Sequence, residues 1–314
     1  MSENIDYVSI RVSTLRGDLK IDFDAYLKIN EKFILYLRKG DSFEGDRLSR
    51  LKAKKLKKMF ILPEEEQNYR NYLSENIEIA YDKNSGKSIS TRSEIIQGSQ
   101  QSNTEAVMEH PEDELLYNEA KNAAGKFANF LSSEAEGVAH ILALENADQN
   151  IAHHGVTVST LSNALAKKLG QSDPKILQML TLGCLLHDFD HFHNGVDVAR
   201  PLKDFTPKEQ ETYRKHPISG AQSVQDKKHF DTQIINIILQ HEEYIDGKGF
   251  PNGLSEAKMD PNAVICASAN ALDRLITFEK VPRKDAVKEL LISTVGRYPL
   301  KHIQLLGEIM SEFK

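Results

Sequence analysis

The chain has 314 residues, 40% of them hydrophobic and 27% charged, with a formal net charge of −6. That length suggests two domains, either of which could bury a working core. The acidic balance excludes a general polyanion binder, so polymeric nucleic acid is not an expected partner.

The N-terminus has no cationic start followed by an apolar stretch, so no signal peptide is expected. Residues 8–12, 21–29 and 32–39 alternate apolar and polar side chains, as half-buried strands do. Residues 44–56 read as a helix with Leu48, Leu51 and Leu56 on one face. Its basic stretch, residues 47–58, reads as a solvated helix face rather than a nucleic-acid patch. A short strand over 59–62 is ended by Pro63, and a second helix covers 64–77. Residues 1–82 thus form a small α+β regulatory or partner-binding module. Residues 83–113, rich in Ser, Gln and Asn, read as a linker, helical in part.

From residue 114 onward the periodicity is helical, over 115–131, 138–144, 151–169, 176–186, 207–224, 232–244, 262–278 and 284–313. This is an all-α bundle of about seven or eight helices, giving an α+β module followed by a helical domain. The run 176–186 is far shorter than the ~20 apolar residues that span a bilayer, so no membrane contact is expected. Cys184 and Cys266 lack paired spacing, which argues against disulfides and thiolate zinc sites. A cytoplasmic chain is expected.

Several of the eleven histidines fall where helices begin or stop. His154 opens a helix whose Val158, Leu161 and Leu165 face a core. His187 and Asp188 close an apolar helix, where charged groups are costly unless partnered. His216 lies in the helix that starts near Pro207, and His241 with Glu242 ends another apolar run. Imidazole and carboxylate without thiolate suit iron, manganese or zinc. Beyond Glu242, Gly247-Lys248-Gly249-Phe250-Pro251 reads as a tight loop able to approach a phosphate.

Together these residues resemble the HD-GYP family, cyclic di-GMP phosphodiesterases within the HD-domain metal phosphohydrolases. The resemblance covers roughly residues 130–280. His154, Val158 and Gly170 match its first element, and Leu185-Leu186-His187-Asp188 its HD element. Lys215-His216-Pro217 matches the histidine-proline element, His241 to Pro251 the stretch that names the family, and Asn270 its last metal-binding position. The resemblance implies an HD-type bundle holding two or three divalent metals, with iron first and manganese as the alternative. Their ligands would be His154, His187, Asp188, His216, His241, Glu242 and Asn270. Asp188 would bridge the metals and His191 would contact or protonate the scissile phosphate. Lys248, Gly249, Phe250 and Arg283 would bind the substrate, cyclic di-GMP, which would yield the linear dinucleotide or GMP.

The sequence departs from the family at Phe250 for its tyrosine, His191 for a lysine, Asp190 for a glycine, Glu242 for the second histidine and Asn270 for an aspartate. Asn150 replaces a glutamate found in some members, which favours two metals over three. These departures motivate a second reading, a catalytically degenerate domain that binds metal and nucleotide and signals through a partner. A third is a phosphohydrolase acting on another phosphoester. His110, His140, His153, His229 and His302 lie off the motifs, and His193 is either a supporting residue or free.

Overall fold

The computed structural model describes residues 6–54, 56–144 and 150–312. The N-terminal pentapeptide behind the leader reading, and residue 313 at the end of the last expected helix, lie outside that set. The chain divides into two compact units, Met1–Ser102 and Asn103–Lys314.

The first unit contains β1 (Val8–Arg11), β2 (Ala25–Ile29), β3 (Lys32–Leu37), α1 (Arg47–Ala53), β4 (Lys58–Ile61) and α2 (Glu66–Tyr81). Its strands form an antiparallel sheet in the order β1-β4-β2-β3. Asn30 and Glu31 link β2 to β3 with φ of 48° and 62°, the left-handed turn that matches strand twist. Strand alternation sends Ile10, Ala25, Met59 and Ile61 into one core with Phe23 and with Tyr69 and Tyr72 of α2. Phe23 meets both tyrosine rings edge-on, at 5.5 and 5.7 Å.

Where composition suggests a linker, the chain forms a 21-residue helix, α3 (Ile89–Glu109). It buries polar side chains: Ser93, Gln97, Gln100, Gln101, Thr104 and Glu105 are all under 10% exposed. Burial is tolerated because these groups are paired. Arg92 Nε donates to the Ala80 carbonyl at 2.7 Å, and Gln97 donates to Gln101 at 3.1 Å. Composition counts apolar side chains and misses a helix packed through amide hydrogen bonds.

The second unit is helical: α4 (Glu114–Ser133), α5 (Ala135–Ala143), α6 (Ile151–Lys168), α7 (Pro174–Leu186), α8 (Pro207–Val224), α9 (Thr232–Gln240), α10 (Pro261–Thr277), α11 (Arg283–Ser293) and α12 (Leu300–Glu312). Most starts are written in side-chain caps. Asp113, Asn150, Asp173 and Asp260 each accept backbone N–H bonds, and Thr206 with Glu209 makes a capping box for α8. The expected helix over 284–313 is two helices, separated by residues 294–299 with Pro299 just ahead of α12. The apolar α7 is central, packed against α4, α6 and α9. Gly155 lets α6 approach it closely, since a Cβ there would lie 2.7 Å from the Leu185 carbonyl oxygen. That approach brings the start of α6 beside the end of α7. No described helix is long and apolar enough to cross a membrane.

Candidate metal centre

His154 stands in the first turn of α6, His187 caps the C-terminus of α7 and Asp188 follows it. His216 lies within α8, His241 caps α9, and Asn270 lies within α10. All are buried, each under 4% exposed. The Nδ1 atoms of four rings each meet an acceptor. His187 reaches the Cys184 carbonyl at 2.7 Å, His216 the Tyr213 carbonyl at 2.5 Å, and His241 the Ile238 carbonyl at 2.9 Å. His154 reaches Asp273 Oδ2 at 2.6 Å. Carbonyls and carboxylates only accept, so each Nδ1 carries the proton and each Nε2 turns its lone pair inward. This is how an outer shell orients histidine ligands for a metal.

The four Nε2 atoms divide around Asp188. Oδ1 lies 3.4 Å from His216 and 3.4 Å from His241. Oδ2 lies 3.4 Å from His187 and 3.6 Å from His154. His216 Nε2 and His241 Nε2 face one another at 2.8 Å, and His154 Nε2 faces Asn270 Oδ1 at 3.0 Å. Both contacts set acceptor against acceptor, an arrangement that an intervening cation relieves. His187 Nε2 and Asp188 Oδ2 are buried with no hydrogen-bond partner. The donor set therefore fits a divalent metal of the imidazole-carboxylate class. His154, His187 and Asp188 form one group with metal-ligand spacing, Asp188, His191 and His216 a second, and His216, His241 and Glu242 a third.

Electrostatics favour the ligating forms of His187 and Asp188, whereas His241 would have to give up a proton to a metal. Burial lowers the pKa of His187 to about 3, so it stays neutral. Burial opposes ionisation of Asp188, but His187, His216 and His241 outweigh it and hold the carboxyl well below its usual range. Burial likewise opposes charge on His241, while Asp188 overcomes it and raises that ring.

His191 differs from the other four. Asn194 Oδ1 accepts from Val196 N at 3.0 Å, so its amide nitrogen faces His191 Nδ1, also at 3.0 Å, and donates to it. The His191 proton therefore sits on Nε2, which has no partner and lies 4.0 Å from Asp188 Oδ1. Burial first, then His216 and Arg274, push its pKa well below the ordinary histidine value. His191 is thus a neutral N–H donor rather than an imidazolium acid.

A cavity of ≈ 650 Å³ adjoins the cluster, lined in part by Tyr213, Glu242, Tyr244, Phe250, Arg274 and Tyr298. Such a volume suits a nucleotide-sized ligand. The loop after α9 shapes it. A Cβ at Gly249 would lie 2.3 Å from Tyr244 N, and Phe250 N donates to the Glu242 carbonyl at 3.0 Å. Glu243 pins the far side, accepting from Asn252 N and Leu254 N at 2.6 and 2.9 Å.

Two expected substrate contacts fall elsewhere. Lys248 is 83% exposed and pairs with Asp246, because the turn points it to solvent. Arg283 donates to the Leu142 carbonyl at the start of α11 and does not line the cavity. Asn150 caps α6 and donates to Glu105 at 2.6 Å. His110, His140, His153, His193, His229 and His302 stand outside the ligand groups. Three contributors went unseen in the sequence. They are Asp273, one turn beyond Asn270; Tyr213, which donates to Glu242 Oε1 at 2.6 Å; and Arg274.

Residues 137–291 match the HD domain family. Along 98% of its length the chain is 60% identical to Bd1817, an HDG"Y"P protein from Bdellovibrio bacteriovorus, covering 100% of that structure with a TM-score of 0.93. The chain belongs to the HD-GYP family. Among other relatives, it is 28% identical over 135 residues to "Cyclic di-GMP phosphodiesterase PA4108" from Pseudomonas aeruginosa. That match covers 43% of this chain and 32% of the relative. It is 26% identical over 166 residues to a Thermotoga maritima protein named "Cyclic di-GMP phosphodiesterase", covering 52% of this chain and 44% of the relative. The chain thus spans less than half of the length of these two relatives. In this HD-GYP chain, four of the residues that depart from the motif (His191, Glu242, Phe250 and Asn270) gather at the cluster or its cavity, whereas Asp190 and Asn150 do not.

Proposed function

We propose that the protein is a metal-dependent phosphodiesterase that hydrolyses cyclic di-GMP to the linear dinucleotide or GMP. The observation that carries this reading is Asp188, whose two oxygens separate the His154–His187 pair from the His216–His241 pair. One metal would be held by His154, His187, Asp188 and Asn270. The other would be held by His216, His241, Asp188 and Glu242. Iron is the expected metal and manganese the alternative. Bound there, the ions would supply Lewis-acid activation of water and neutralise charge developing on the phosphoryl oxygens.

The chain's own residues do the rest. Asp188 stays ionised across the physiological range and would tie both halves of the centre together. Tyr213, kept protonated by burial, donates to Glu242 and fixes that carboxylate. His191 would donate its Nε2 hydrogen to a phosphate oxygen rather than deliver a full proton. Phe250 would give the substrate an aromatic wall without a hydroxyl. The relatives' names support the substrate class, and the chemistry fits a cytoplasmic enzyme whose N-terminal module receives a regulatory signal or partner.

The test is to load the full chain with iron or manganese and incubate it with cyclic di-GMP. Linear dinucleotide that vanishes in Asp188→Ala supports the reading. Binding without turnover in metal-replete protein favours the second reading, a nucleotide-binding signalling module. That alternative is motivated by the changes at Phe250, His191 and Asn270.

A further inference from the structure

Arg274 follows Asp273 on α10 yet turns to the cavity rather than to His154. It is only 7% exposed. Its guanidinium carbon lies 5.2 Å from the ring centre of Tyr213 and 5.2 Å from that of Phe278. These aromatic faces ease the cost of burying the charge but give its N–H groups no acceptor. Nη2 has no hydrogen-bond partner, and no described carboxylate lies within ion-pair distance. Three acids raise its pKa, and each is engaged elsewhere: Asp188 lies among the four histidines, and the other two accept hydrogen bonds. Glu242 Oε1 accepts from Tyr213, and Glu279 Oε1 accepts from Leu202 N at 2.9 Å. A buried guanidinium is permanently charged, so an unpartnered fork on a cavity wall is built for an anion that arrives from outside.

The cavity suits that anion. Arg214 and Arg297 are exposed at its rim, over the rings of Phe250 and Tyr244 at 5.6 and 5.0 Å, whereas Arg274 is buried beside the cluster. Its charge is felt at His191, which shares the Tyr213 ring as a neighbour. We propose that Arg274 is a substrate-binding residue that grips the non-bridging oxygens of a phosphate ester through its planar fork, with the Tyr213 and Phe278 rings holding it in place. This rests on the phosphodiesterase reading above. A guanidinium matches two phosphate oxygens at once, a geometry that Lys cannot reproduce.

The test uses metal-loaded full-length protein as wild type, R274Q and R274K. Calorimetry gives the dissociation constants of GMP and of guanosine, and turnover gives the KM for cyclic di-GMP. GMP binding should weaken by ~tenfold or more in R274Q while guanosine binding stays within about twofold. The KM should rise in parallel with metal content unchanged, and R274K should recover part of the loss. If the glutamine variant fails to fold, R274K alone should still weaken GMP and spare guanosine. Equal weakening of both ligands would make Arg274 a structural strut and overturn the proposal. So would no change in either, or wild-type protein that binds GMP no better than guanosine. Wild type that discriminates GMP through Arg274 but leaves cyclic di-GMP intact would support the phosphate grip and overturn the substrate reading instead.

Discussion

Single proton positions decide much of the chemistry at this centre. Four imidazoles spend Nδ1 on a fixed acceptor, which leaves each Nε2 lone pair turned into the cluster. Asp273 does this for His154 from one turn beyond Asn270. Asp273→Ala should leave His154 free to choose its tautomer and rotate. Metal affinity should fall ~10–100-fold with secondary structure unchanged, read by chelator competition and circular dichroism. Undiminished affinity would mean that packing alone orients the ring. His191 takes the opposite tautomer because Asn194 donates to it, so Asn194→Asp should disturb turnover more than metal content. The assay is kcat beside metal analysis on one preparation.

At the scale of elements, the site is a meeting of helix ends. Apolar runs on α7 and α9 carry the packing, and the polar residue that stops each run is left pointing into the space between them. The loop after α9 closes over that space only because position 249 lacks a Cβ. Gly249→Ala should cost about 1–3 kcal/mol through forced backbone displacement. Urea denaturation measures the loss, and a change below experimental error would show that the loop relaxes freely.

The α10–α12 contact adds a pH term. His302 Nδ1 lies 3.0 Å from Ser268 Oγ, and burial, with Lys301 beside it, lowers its pKa to about 4. The unfolded chain binds this proton near pH 6.5 and the folded chain only near 4. Stability attributable to this group is therefore lost as pH falls between those values, because the unfolded state holds more protons there. His302→Gln should flatten the dependence of Tm on pH across that window. An unchanged slope would assign the effect to other groups.

Across the whole molecule, two units of different class share one chain, and among the described residues only the second contains the ligand groups. Metal binding should therefore protect a defined subset of the backbone. Chelation should speed hydrogen exchange in α6, α7, α8 and α9 and leave β1 to β4 unchanged.

The strands and most helices were legible because their apolar residues repeat at two or at three and four. α3 was legible only as a segment helical in part, since many of its buried residues are amides and hydroxyls that composition counts as exposed. The metal cluster was readable because His154, His187, Asp188, His216 and His241 sit at motif positions and helix ends. Tyr213 and Arg274 were not, because nothing in one sequence tells which residue of a helix turn faces a distant loop. Lys248 drew notice as part of the glycine loop and Arg283 through the family resemblance, but the turn points Lys248 to solvent and Arg283 is held by the Leu142 carbonyl.

The proposed centre is divided, with Asp188 between two histidine pairs. The most direct test is anomalous diffraction at the iron edge on crystals of iron-loaded protein. Two peaks flanking Asp188 are predicted, one against His154 and His187 and the other against His216 and His241. A single peak, or density lodged away from Asp188, would rule out a centre divided by that carboxylate.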